Sequence, residues 1–146
     1  MNGASTIHAS AVLVGPKAVL IRGPAGSGKS SLAWKLLSGA LPFTRLVADD
    51  RAYVEARAGR LLVRPAGELA GLIEIRGLGI RRLPYEPMAI VKFVVDLAAS
   101  DAGRLPSHET THTILEGITL PRLGVAAGVP AVPVVTAFLK DLGTAD

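Results

Sequence analysis

The 146-residue sequence predicts one α/β domain, residues 1–146, with a mixed and partly antiparallel sheet. Three observations predict it. A strand, a glycine-rich loop and a helix follow one another between residues 18 and 39. Apolar runs flank short turn sequences, as hairpins require, and no repeat or linker divides the chain. With 49% apolar and 19% charged residues the chain can bury a core, which excludes disordered, collagen-like and coiled-coil classes.

Ile7 to Val14 and Ala18 to Ile21 read as two strands joined by the turn Gly15-Pro16-Lys17. From Lys29 the period changes: Leu32, Ala33, Leu36 and Leu37 recur at helical spacing, and Gly39 stops the helix. Arg45 to Ala48 is a short buried strand running into Asp49-Asp50-Arg51. Ala52 to Arg57 and Arg60 to Arg64 flank Ala58-Gly59 as a hairpin. A helical turn around Glu68 to Gly71 leads into the strand Leu72 to Arg76, with Gly77-Leu78-Gly79 behind it. Met88 to Leu97 fits a strand or a buried helix, and its β-branched content favours strand. Ile114 to Leu120 is expected to be extended, Pro121 to Pro133 a loop, and Val134 to Leu142 a terminal helix.

Sixteen basic against twelve acidic residues give a net charge of +4, which favours anionic partners such as phosphates. The eleven arginines are scattered from Arg22 to Arg122 and aromatics make up only 4%, so neither a basic arm nor a base-stacking platform for nucleic acid is present. The lack of cysteine excludes disulfides, thiolate metal sites and Cys nucleophiles. Met1 to Thr6 has no positive signal-peptide region, and no apolar run approaches the roughly 18–20 residues of a membrane span. A cytoplasmic protein without membrane contact is expected.

Gly23-Pro24-Ala25-Gly26-Ser27-Gly28-Lys29-Ser30 matches the phosphate-binding P-loop pattern, with Ser31 following it. Glycines let main-chain N–H groups approach phosphate oxygens at a helix N-terminus. Lys29 can reach the β- and γ-phosphates, and the Ser30 hydroxyl can ligate Mg²⁺. The competing reading is a glycine turn with Ser27 or Ser30 capping the helix. A P-loop by itself does not choose among ATPase, GTPase and kinase.

Asp49 and Asp50 follow a strand about 20 residues after Lys29, where P-loop proteins commonly place a metal-organising or basic carboxylate. Adjacent residues at a strand end point to opposite sides, so one is expected to face a metal and its water shell and the other an acceptor. The alternative is a solvated loop or an ion pair with Arg51. Glu74 and Arg76 alternate on one face of an apolar strand and read either as a salt bridge or as a metal ligand beside a phosphate contact. His8, alone in an apolar run, reads on residue type as a hydrogen-bonded core histidine more readily than as a ligand.

Taken together, Ile7-His8-Ala9-Ser10, the P-loop, Leu46-Val47-Ala48-Asp49-Asp50-Arg51 and Leu72-Ile73-Glu74-Ile75-Arg76-Gly77-Leu78-Gly79-Ile80 resemble the catalytic domain of HPr kinase/phosphorylase over about residues 5 to 85. The resemblance implies a P-loop fold similar to the nucleotide-binding domain of phosphoenolpyruvate carboxykinase. It implies an ATP- and Mg²⁺-dependent serine kinase acting on the phosphocarrier HPr of the phosphotransferase system, and in many members phosphorolysis with inorganic phosphate to release pyrophosphate. By that resemblance Lys29 holds the phosphates, Ser30 and Glu74, with Asp49 beside them, serve Mg²⁺, Asp50 is the base toward the acceptor hydroxyl, and His8 lies near the transferred phosphate.

The chain departs from the family pattern in three places. It looks like a shortened form without the N-terminal domain of many members. A family arginine after the signature has Arg104 as its counterpart. The arginine-bearing C-terminal segment that goes with dephosphorylation is replaced by Gly128-Val129-Pro130-Ala131-Val132-Pro133-Val134, so the kinase direction is the primary expectation. A small-molecule P-loop kinase and a nucleotide- or phosphate-sensing module without turnover are the competing functions. The apolar stretch Val125 to Leu139 would serve either a homo-oligomer interface or the chain's own core.

Overall fold

The computed structural model describes residues 5–103 and 107–143. Strands β1 (Ser5–Ile7), β2 (Ala9–Val14) and β3 (Lys17–Arg22) precede helix α1 (Lys29–Ser38). Then come β4 (Thr44–Ala48), β5 (Ala52–Arg57), β6 (Arg60–Pro65), β7 (Leu72–Ile75), β8 (Gly79–Arg82) and β9 (Ala89–Leu97). The chain continues with β10 (His112–Leu115), β11 (Ile118–Val125) and helix α2 (Ala131–Gly143), with 3₁₀ turns at Gly67–Leu69 and His108–Thr111.

The main sheet runs β1-β5-β6-β9-β3-β2-β4, and β7 and β8 form a separate hairpin. Pairing is antiparallel except where β9 lies parallel to β3 and β11, so the expected mixed sheet is what forms. Strand β9 organises it. Its start pairs with β6 through Ala89 and Ile90, and further along the same chain β11 pairs with Val94 to Leu97. Thus the apolar Met88 to Leu97 segment is a strand from Ala89 onward.

Alternation along the central strands builds two apolar clusters on opposite faces. Ala18 and Leu20 of β3, Ala9, Ala11 and Leu13 of β2 and Val94 of β9 pack with the β5–β6 hairpin. Val19 and Ile21, with Val12, Phe93 and Val95, face the other way against Leu32, Ala33 and Leu36 of α1 and Ile73 of β7. Each fully buried side chain of the size of Phe93 or Leu20 contributes about 1.5–3 kcal/mol. Helix α2 completes this second cluster: Val135 is fully buried and the Phe138 ring meets Phe93 edge-on at 4.8 Å. Within Val125 to Leu139, Val125 and Val135 thus enter the chain's own core.

Three sequence expectations differ in detail. The run Ile7 to Val14 breaks at His8, because β1 pairs with β5 whereas β2 pairs with β3 and β4. Ile114 to Leu120 is not one extended piece but the turn of the β10–β11 hairpin, made at Glu116 and Gly117 with φ of 51° and 78°. The expected loop Pro121 to Pro133 is strand as far as Val125, and Pro133 sits in the first turn of α2, where a missing N–H costs no helical hydrogen bond. No helix among the described residues is long and apolar enough to cross a membrane.

Candidate functional site

The glycine-rich loop sits between the end of β3 and the start of α1, as the pattern predicts. Gly26 and Gly28 have φ of 80° and 100°, which side-chain-bearing residues rarely adopt. At Gly23 a Cβ would collide with the Ser27 hydroxyl, so this glycine is required by close approach. Helix α1 begins at Gly28 with no side-chain cap and no acidic residue in its first turn. Ser27 and Ser30 therefore do not cap: the Ser27 Oγ is buried without a partner, and Ser30 points elsewhere. The uncapped first-turn N–H groups stay free for an anion.

Lys29 folds back over the loop, its Nζ donating to the carbonyls of Gly23 at 2.9 Å and Pro24 at 3.3 Å. That places the ammonium above the loop's own concavity. Pro24 and Ala25 form the exposed tip, and Ser31 is exposed on the first turn of α1.

Behind the loop lies Asp49, only 7% exposed at the end of β4. Its Oδ1 accepts from Ser10 and Ser30 at 2.7 Å each, and its Oδ2 accepts from Ser30 at 2.9 Å and from the Glu74 main-chain N–H at 3.2 Å. One carboxylate thus ties together β2, the P-loop helix and β7, with every contact a charge-assisted hydrogen bond. Asp50 turns outward with φ of 70°, a left-handed conformation that Asp tolerates better than most residues. Its N–H donates to the Ser10 hydroxyl at 3.3 Å. The two aspartates point apart, as adjacent positions at a strand end require; the Arg51 N–H donates to the Asp49 main-chain carbonyl at 2.8 Å, but among the described residues neither carboxylate forms an ion pair with the Arg51 side chain.

Lys29, Ser30, Asp50, Glu74 and Arg76 line one cavity of about 390 Å³. Glu74 and Arg76 share its wall without an ion pair between them, so the salt-bridge reading is not realised. A second cavity of about 360 Å³ lies across the loop, touching Gly26, Gly28 and Ser31. Its far wall is apolar, from Leu97 and Ala98 to Val125 and Val132, with Lys35 at the edge. Together the two form a groove over the P-loop, apolar on one side and charged on the other.

Not every expected residue joins the site. His8 is exposed in the break between β1 and β2 and does not line the charged cavity; it is not the core histidine that its apolar run implied. Arg104 lies outside the described residues. Among the described residues no three His, Cys, Asp or Glu side chains converge as a metal cage. One hydroxyl and one or two carboxylates fit Mg²⁺, which keeps several waters and takes substrate phosphates as ligands.

Two features escaped the residue-level reading. Ser10, fully buried, touches both aspartates; the signal for it is a lone serine in an otherwise apolar buried run. The other is a clamp at the root of the loop. Arg22, the residue before Gly23, grips Asp96 of β9 with two hydrogen bonds of 2.8 Å, and Arg122 of β11 reaches the same carboxylate at 2.6 Å. Burial pushes the Asp96 carboxyl up, but the hydrogen bonds and charges of both arginines outweigh it and hold the group below the ordinary 3.8. For Arg122, burial likewise opposes the charge and is outweighed by Asp96 and Asp101, which raise its pKa.

This geometry has known relatives. The family model of the HPr serine kinase C-terminal domain matches residues 1–84. The HPr kinase/phosphorylase of Xylella fastidiosa is 43% identical over 77 residues, 52% of this chain and 23% of that protein. That of Clostridium tetani is 38% identical over 66 residues, 45% of this chain and 21% of that protein. The match thus spans less than a quarter of these relatives' length. The solved HPr(Ser) kinase/phosphatase of Coxiella burnetii superposes with a TM-score of 0.75 over 96% of both chains at 22% identity, which establishes a shared fold. With the P-loop, the paired aspartates and Glu74 all inside the matched 84 residues, the chain belongs to the HPr serine kinase C-terminal domain family.

Proposed function

We propose that this chain is a protein-serine kinase that transfers the terminal phosphoryl group of ATP to a seryl hydroxyl of HPr. One observation carries the reading: Lys29 and Asp50, a phosphate-binding cation and an outward carboxylate, face the same cavity from the P-loop and from the end of β4. The names of the matched relatives support the acceptor.

In this reading the P-loop N–H groups and Lys29 hold the phosphates, and the apolar cavity beyond Ser31 takes the base and sugar. Lys29 leaves the Gly23 and Pro24 carbonyls for phosphate oxygens, a short movement for a flexible side chain. Ser30 and Glu74, with Asp49 behind them, would hold magnesium, whose role when bound is to neutralise charge on the phosphate oxygens. Asp50 accepts the seryl proton as the new O–P bond forms and the nucleoside diphosphate departs. A positioned base contributes about 10²–10⁴-fold to such a step. His8 and Arg104 are assigned to contact the transferred phosphate on the resemblance alone. In phosphorolysis, a separate reaction, an inorganic phosphate oxygen would bond to the phosphoseryl phosphorus as its O–P bond to serine breaks, pyrophosphate would leave, and Asp50 would return the proton to the seryl oxygen.

Incubating purified protein with HPr, Mg²⁺ and labelled ATP tests the proposal. Label on a seryl residue of HPr with wild type, and none with Lys29→Ala, is the expected result. ATP binding without transfer to HPr would instead identify a sensing module, and transfer only to small alcohols a metabolite kinase.

A further inference from the structure

The β7–β8 hairpin stands apart from the main sheet and carries a surface that the phosphoryl-transfer chemistry leaves unused. All four residues of β8 are exposed, Ile80 at 65%, and Leu78 in the connecting turn is 59% exposed. Large apolar side chains exposed this far and this close together mark a contact surface. The register fixes which way they look. Ile80 lies directly across from Glu74, and Arg82 across from Leu72, so Ile80 and Arg82 share the face on which Glu74 lines the charged cavity. Ile73 and Ile75 take the opposite, buried face. Between residues 75 and 82 the charges are Arg76, Arg81 and Arg82, with no acid. Among the described residues none of the three has a carboxylate partner, and Arg81 only reaches the Ile80 carbonyl at 3.0 Å.

We propose that this hairpin face, centred on Leu78 and Ile80 and edged by Arg76 and Arg82, is where the protein acceptor docks. The inference rests on the kinase reading above and adds the chemistry of the partner: a surface presenting apolar side chains beside the seryl hydroxyl, with carboxylates around them. Continuity carries it, because Ile75, Arg76, Gly77 and Gly79 of the same hairpin form the wall of the cavity that Asp50 faces. An acceptor seated on Leu78 and Ile80 has its hydroxyl delivered along that wall. Arg76 and Arg82 supply complementary charge for an acidic rim and speed the encounter.

The test is steady-state phosphorylation of HPr by wild type, by the double variant Leu78→Ser/Ile80→Ser, and by Arg82→Glu. These side chains are exposed and outside the phosphate-binding machinery, so folding by circular dichroism and KM for ATP stay at wild-type values. The double variant is expected to raise KM for HPr about tenfold or more with kcat at saturating HPr within twofold. Arg82→Glu is expected to raise it less and to remove the wild-type increase of KM with salt. Unchanged KM for HPr in both variants overturns the docking face while leaving the kinase reading intact. A double variant that changes only the oligomeric state assigns the face to a second copy of the chain and overturns it too. No transfer to HPr by wild type removes the kinase reading, and the docking face falls with it.

Discussion

Ser10 and Ser30 donate to the same oxygen, Asp49 Oδ1, each at 2.7 Å, although one sits on β2 and the other opens the P-loop helix. Ser10 also accepts the Asp50 N–H, so a single buried hydroxyl fixes the inward aspartate and the backbone of the outward one. The Ser30 hydroxyl, the Asp49 carboxylate and the Asp50 backbone are thereby held in one network.

Ser10→Ala removes one charge-assisted donor and leaves the Asp50 N–H without its partner. Destabilisation of about 1.5–3 kcal/mol in urea unfolding is expected. Loss of this anchor for Asp50 lowers kcat about tenfold with KM for nucleotide unchanged. Wild-type stability and kcat in this variant would disprove the network's role.

Lys29→Ala deletes a side chain that bonds only to loop carbonyls. Stability is expected to change by less than about 0.5 kcal/mol, as for an ordinary surface substitution. Nucleotide Kd, read by titration calorimetry, rises more than about tenfold through loss of the charge-assisted phosphate contact. Unaltered affinity would remove Lys29 from the phosphate site.

Glu74→Gln keeps the main-chain N–H that serves Asp49 and changes only an exposed carboxylate. The Mg²⁺ concentration for half-maximal transfer is expected to rise about tenfold, with the melting temperature unchanged. A Mg²⁺ dependence equal to wild type would take Glu74 out of the metal's surroundings.

Asp96 makes the clamp at the root of the loop sensitive to acid. Folding lowers its pKa below 3.8. Its contribution is therefore complete above that ordinary value and is lost as pH falls through the lower folded value. Asp96→Asn is expected to cost about 2–4 kcal/mol at pH 7 by leaving Arg22 and Arg122 short of a counter-charge. The gap to wild type then narrows in denaturation curves below about pH 4. A gap that is constant from pH 7 to pH 3 would contradict this assignment.

Much of the site was legible because its signals are local. The P-loop, the periodic apolar residues of α1 and the Asp49-Asp50 pair each lie within a few consecutive residues, and the structure brings Lys29, Ser30, Asp50 and Glu74 to one cavity. What was not legible depends on pairing at long range. Ser10 acquires its role only when β2 lies beside β4, and Arg22, Asp96 and Arg122 meet only because β3, β9 and β11 run parallel. The β7–β8 hairpin hid in the glycines at 77 and 79, whose positive φ reads as a loop although it makes the turn. The apolar wall from Val125 to Val132 was obscured by two prolines that end up in a strand and a first helical turn.

The central claim is that Asp50 acts on the acceptor while other groups hold the nucleotide, and Asp50→Asn separates the two directly. Asn suits the left-handed backbone at this position at least as well as Asp, so the fold is retained. The measurement is the single-turnover rate of phosphoryl transfer to HPr alongside nucleotide Kd. A fall of about 10²-fold or more in rate with Kd within twofold of wild type is the predicted result. A transfer rate within threefold of wild type would contradict it.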